Sequence, residues 1–135
     1  MNKYLTPLLV VGFAGLPGCT NLIVQDASID FTAKTVSVIV KNNGMRAAGE
    51  HFTYIEINNV SAPDSAKPQS QYSARVSTIA AGGTWNSGPI HFNSFSSPRG
   101  LDLLSLTTAN LVVRADAKDM VEENNESDNL YDANH

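Results

Sequence analysis

Seven of the thirteen acidic residues of this 135-residue chain fall in one short stretch: Asp116, Asp119, Glu122, Glu123, Glu126, Asp128 and Asp132. Clustered carboxylates with asparagine carbonyls nearby are hard oxygen donors, and Ca²⁺ takes about six to eight of them at once. The residues that would hold calcium are Asp116, Asp119, Glu123, Glu126 and Asp128. Their spacing is not that of an EF-hand loop, which requires D-x-[DN]-x-[DN]-G. The same stretch has a purely structural reading. Asp116 would end a strand and accept bonds from the backbone N–H groups of Lys118 and Asp119, as in an Asx turn. Glu123, Glu126 and Asn129 would tie the reversal to neighbouring amides, and Val121 would plug the bottom of the fold.

Cys19 is the only cysteine, so no intramolecular disulfide can form. It follows a short stretch whose one cation is Lys3, then a continuous apolar run from Leu8 to Leu16. That run falls short of the roughly 20 residues of a membrane-spanning helix and reads as an export signal. Leu16-Pro17-Gly18-Cys19 resembles the lipobox of bacterial lipoproteins, with Pro17 in place of the usual small residue. The resemblance implies cleavage before Cys19, a diacylglycerol on its sulfur and a third acyl chain, such as palmitate, on its amine. Such hydrocarbon holds firmly to a membrane, since each buried CH₂ contributes about 0.8 kcal/mol. Thr20 follows, not an aspartate, and by resemblance to Gram-negative sorting this implies the outer membrane. Residues 1–18 are therefore expected to be a signal peptide, 19–21 a lipidated start with a short tether, and 22–135 the folded domain.

Signals for catalysis are missing, and no catalytic residue is expected. His51, His91 and His135 are scattered and form no H-E-x-x-H, and there is no G-x-S-x-G, P-loop or dinucleotide fingerprint. His51 and His91 read as solvated or rim histidines in strands. Trp85, on the opposite strand parity from Ile90 and Phe92, would face outward and with Tyr72 could stack a sugar. A lone Trp in a sandwich is more often a core or rim plug, which is the reading taken. Net charge is −4, from nine basic and thirteen acidic residues, and Lys3 is the only charge among the first eighteen. The remainder is more acidic still, with no basic stripe to neutralise phosphates, which excludes nucleic acid as a partner.

The elements that would position these residues read as strands. Ala27, Ile29 and Phe31 alternate with polar residues, and Val36, Val38 and Val40 repeat the pattern before an Asn42-Asn43-Gly44 reversal, whose residues suit positive φ. His51 to Val60 is a third strand whose apolar parity changes between Tyr54 and Ile55, which a bulge or burial on both faces would explain. Gln71 to Ile79, Thr84 to Phe92, Thr107 to Asp116 and Leu130 to Ala133 follow, with Ala80-Ala81-Gly82-Gly83 as a turn. Leu101 to Leu106 is a helical turn or a short extended piece. About seven short strands with Gly-containing turns make an all-β protein, an antiparallel sandwich of immunoglobulin-like topology.

VKNNG, VSTIAAGG and LVVRADAKDMVEENNESDN, in this order, resemble the CARDB domain, a bacterial cell-adhesion-related module, over roughly Asn21 to Tyr131. The final motif carries the likeness most strongly. Asp116, Val121, Glu123, Glu126 and Asn129 sit at the family's positions, while Asp128 replaces a common asparagine. The resemblance implies a non-enzymatic adhesion or binding module in contact with an envelope or surface protein. A carbohydrate-binding sandwich is the runner-up, and a small periplasmic hydrolase or chaperone-like factor is the third reading.

Overall fold

The computed structural model describes residues 20–60, 69–98, 100–116 and 129–135. The signal segment 1–18, Cys19 and the acidic residues from Asp119 to Asp128 lie outside the described residues. Eight strands are found among those described: β1 (Leu22–Asp30), β2 (Thr35–Asn42), β3 (His51–Asn58), β4 (Gln71–Val76), β5 (Thr84–Asn86), β6 (Ile90–His91), β7 (Asn110–Arg114) and β8 (Leu130–Asn134). They form two antiparallel sheets. In one, β2 lies between β1 and the pair β5 and β6; the other runs β4-β3-β7-β8.

Alternation drives the stacking. Val36, Val38 and Val40 on one sheet meet Ile55, Ile57 and Leu111 on the other, all without accessible surface. Each such side chain contributes about 1.5–3 kcal/mol relative to an exposed one. The result is the antiparallel β-sandwich that the alternation predicts.

The departures from the sequence reading have local causes. In β1 the register passes from Val24↔Val40 to Asp26↔Ile39, so Gln25 is a bulge. The inward parity thereby changes from Leu22 and Val24 to Ala27 and Ile29. The expected fifth strand splits at Ser87-Gly88-Pro89, where Gly88 has φ +64° and the Ser87 hydroxyl accepts from Val38 N–H at 2.9 Å in place of a backbone carbonyl. The Asn42–Gly44 reversal has no positive φ. Left-handed backbone occurs instead at Lys34, Asp116 and three glycines, Gly82 among them, of the described residues. Asn42 holds that corner with its side chain. Its Oδ1 accepts from Gly44 N–H (3.0 Å) and Asn21 N–H (3.3 Å), and its Nδ2 donates to the carbonyls of Arg46 (2.7 Å) and Ile79 (3.1 Å). The Leu101–Leu106 segment contains a single 3-10 turn, Leu103–Ser105, capped by Asp102 Oδ1.

The parity change in β3 is not a bulge, because His51 to Glu56 pair one-to-one with β4 and Tyr54 to Asn58 one-to-one with β7. It is burial on both faces: Ile55 and Ile57 point inward, while Glu56 and Asn58 point outward and are also buried. His51 is correspondingly not a rim histidine. It is inaccessible beside Thr53, with Nδ1 2.7 Å from the Gly49 carbonyl oxygen. His91, by contrast, is exposed and its Nδ1 accepts from Asn93 N–H at 3.1 Å.

Candidate interaction surface

The outward face of β4-β3-β7-β8 carries a polar network that spans all four strands. Register places Glu56 between Gln71 of β4 and Val112 of β7, with Asp132 of β8 beyond. Arg114 Nη1 donates to Glu56 Oε2 at 3.0 Å, and Asn58 Nδ2 lies 3.3 Å from both Glu56 Oε1 and Asn110 Oδ1. Asn110 Nδ2 in turn donates to Asp132 Oδ1 (2.9 Å) and Asn134 Oδ1 (3.0 Å). Tyr54 hydroxyl donates to Gln71 Oε1 at 2.8 Å. Burial, then the negative charge of Glu56, raises the Tyr54 phenol above its ordinary value, against the opposing pull of Arg114.

This network is rigid because its members satisfy one another, and it locks β8 to the body of the sheet. Sequence reasoning did not single out Glu56, Arg114, Asn58 or Asn110. The signal was present only in part, as polar residues two apart, Glu56 with Asn58 and Asp132 with Asn134, which is the outward period of a strand, while apolar Val112 interrupts it between Asn110 and Arg114.

The expected acidic site is reached only at its feet. Asp116 is buried with φ +54°, and Ala115 N–H donates to the Asn129 carbonyl at 2.9 Å, so the strand–reversal–strand reading holds at this base. Val121, Asp119, Glu123, Glu126 and Asp128 lie outside the described residues. Among the described residues, no group of three His, Cys, Asp or Glu side chains is placed to hold a metal.

Of the two rings that could have stacked a sugar, both are turned inward, as the plug reading of Trp85 expects. Trp85 pairs with inward-facing Val40 and packs, half-buried, against the core; the break at Ser87–Pro89 makes parity from Ile90 misleading. Tyr72 pairs with inward Ile55 and lies 5.5 Å, centroid to centroid, from Phe95.

The segment after Cys19 is fastened at once. Thr20 is buried, Asn21 N–H is held by Asn42, and the Asn21 carbonyl accepts from Asn43 N–H at 2.7 Å. Asn42 also bonds Ile79, which exchanges backbone bonds with Ala48 just beyond the His51↔Val76 end of the β3–β4 pair. β7 ends beside the start of β3, so Asp116 and Asn129 stand at the same pole of the sandwich as Asn21.

No family model matches the sequence, and no curated protein matches it. Solved structures do match. The fold is similar to a domain of a Methanosarcina acetivorans protein described as a cell surface protein, with a TM-score of 0.59 and 16% identity over 86% of this chain and 90% of that one. It is also similar to the CARDB domain of a Pyrococcus furiosus protein in complex with di-metal ions, with a TM-score of 0.56 and 15% identity over 90% of this chain and 91% of that one. At these identities the likeness is one of fold, and it is the fold to which the terminal motif pointed.

Proposed function

We propose that the chain is an exported, lipid-anchored module of the cell envelope that binds another protein and performs no chemistry. The observation that supports it most is the shared fold, over most of the chain, with a CARDB domain and a cell surface protein domain. Neither of those two is described as an enzyme. In this reading Cys19 carries the lipid and the outer membrane is its address. Because the chain is pinned to the sandwich from Thr20 onward, the pole holding Asn21, Asp116 and Asn129 would face the bilayer. Asn58, Gln71 and the 92–106 crossing would face away.

The test is affinity capture from envelope extract by the full chain, with mass spectrometry of its mature amino terminus. A stoichiometric partner and an acylated Cys19 support the reading. An unmodified Cys19 removes the anchor, and turnover on ester, peptide or glycoside substrates removes the binding class in favour of a small hydrolase. The carbohydrate alternative loses its stacking platform, since Trp85 and Tyr72 pack inward.

Calcium at Asp116 and the carboxylates from Asp119 to Asp128 is a second part of the proposal, supported by the di-metal complex of the Pyrococcus furiosus domain. A melting temperature that rises when calcium is added supports it, and an unchanged one removes it.

A further inference from the structure

Resting on the protein-binding reading, we infer that the open edge of β8 takes up an extended, basic segment of the partner as a fifth strand of the β4-β3-β7-β8 sheet. Ala109 and His135 exchange both backbone bonds (3.0 and 2.8 Å), which sets the phase of the β7–β8 ladder. With a period of two, Leu111 with Ala133 and Val113 with Tyr131 are bonding pairs as well. The backbone N–H and C=O groups of Leu130, Asp132 and Asn134 therefore point away from β7. Among the described residues no strand pairs there.

The two flanks of the sandwich differ in how they are closed. On one, Ser96 exchanges backbone bonds with Gln71 (3.0 and 2.8 Å) and covers the start of β4. On the other, β1 and β8 are both edges among the described residues. The bulge at Gln25 blunts β1. β8 has no bulge or proline and keeps five residues in register, with Leu130 51% exposed for a cross-strand apolar contact.

Charge selects the occupant. Asp132 is exposed on the edge strand, and Asp26 of β1 is near enough to add to the rise of the Tyr131 phenol that burial begins. Arg114, the cation on the adjoining strand, is taken by Glu56. A two-fold pairing of β8 with β8 of a second copy would set aspartate close to aspartate, whereas a strand bearing lysine or arginine would meet opposite charge. Main-chain bonds would supply affinity and these side chains the preference.

The probe is a ten-residue peptide of alternating lysine and valine, with glutamate replacing lysine in the control, added to the full chain and read by amide hydrogen exchange. The account expects exchange at Leu130, Asp132 and Asn134 to slow by about tenfold or more with the lysine peptide, and not with the control. Asn134→Pro removes an edge-facing N–H without taking a ladder donor and is expected to abolish the slowing, while Asn134→Ala, which gives up the same bond from Asn110 Nδ2 but keeps the N–H, is expected to retain it. Asp132→Asn is expected to weaken it. No slowing, equal slowing by both peptides, or protection of these amides that grows with protein concentration alone would overturn the proposal. An envelope partner captured equally by the parent chain and Asn134→Pro would overturn edge docking while leaving the protein-binding reading intact.

Discussion

Glu56 and Arg114 form an ion pair on an outward sheet face, with the carboxylate 1% exposed, the guanidinium 38% exposed and 3.0 Å between them. Removing one partner leaves a desolvated charge, so Arg114→Ala should lower unfolding free energy by about 2 kcal/mol, discounted from a fully buried pair because Arg114 reaches solvent. The double replacement Glu56→Gln with Arg114→Met should recover most of it. Chemical denaturation of the three variants measures this, and a double variant as unstable as Arg114→Ala would contradict the pairing.

Asn42 makes four side-chain bonds that join the start of β1, the β2–β3 loop and the end of the β4 segment. Asn42→Ala strands several buried backbone groups and should cost about 2–3 kcal/mol. Asn43→Ala, one residue on and exposed, should stay within about 0.5 kcal/mol. Equal effects in a denaturation series would remove the hub from the account.

Thr53 Oγ1 is buried on the inward face of β3 and has no hydrogen-bond partner among the described residues. Thr53→Val keeps the shape and removes the unpaired hydroxyl, so it should stabilise by about 1 kcal/mol. A lower melting temperature for this variant would show that the hydroxyl is paired.

The Tyr54 phenol is raised, first by burial and then by Glu56. A raised folded value means that its contribution is whole below the unfolded value of about 10 and is lost as pH climbs through the folded one. Stability should therefore fall with pH above about 10, and Tyr54→Phe should flatten that fall. An unchanged alkaline slope in Tyr54→Phe would contradict the assignment.

Much of the fold was legible in residue patterns. Val36, Val38 and Val40 announced β2, and the strands on either side of the acidic stretch were placed correctly, β7 and β8 pairing antiparallel up to Ala115 and Asn129. What failed did so where a local device changed parity. Ser87-Gly88-Pro89 broke a strand and made parity from Ile90 misleading for Trp85, whereas burial on both faces of β3, one of the two explanations its parity change allowed, holds at Glu56. His51 was misplaced for a similar reason, since a polar type reads as rim until its partner, the Gly49 carbonyl, is known. Nothing in composition marks a carboxylate whose cation arrives from a strand fifty-eight residues away.

The most direct test of a sandwich that presents the free edge of β8 is residue-resolved amide hydrogen exchange on the protein alone. The account predicts alternation along β8, with Tyr131, Ala133 and His135 slow and Leu130, Asp132 and Asn134 fast. Uniformly slow exchange would mean that the edge is already covered, and uniformly fast exchange would mean that β8 is not docked on β7. Either result would contradict the account.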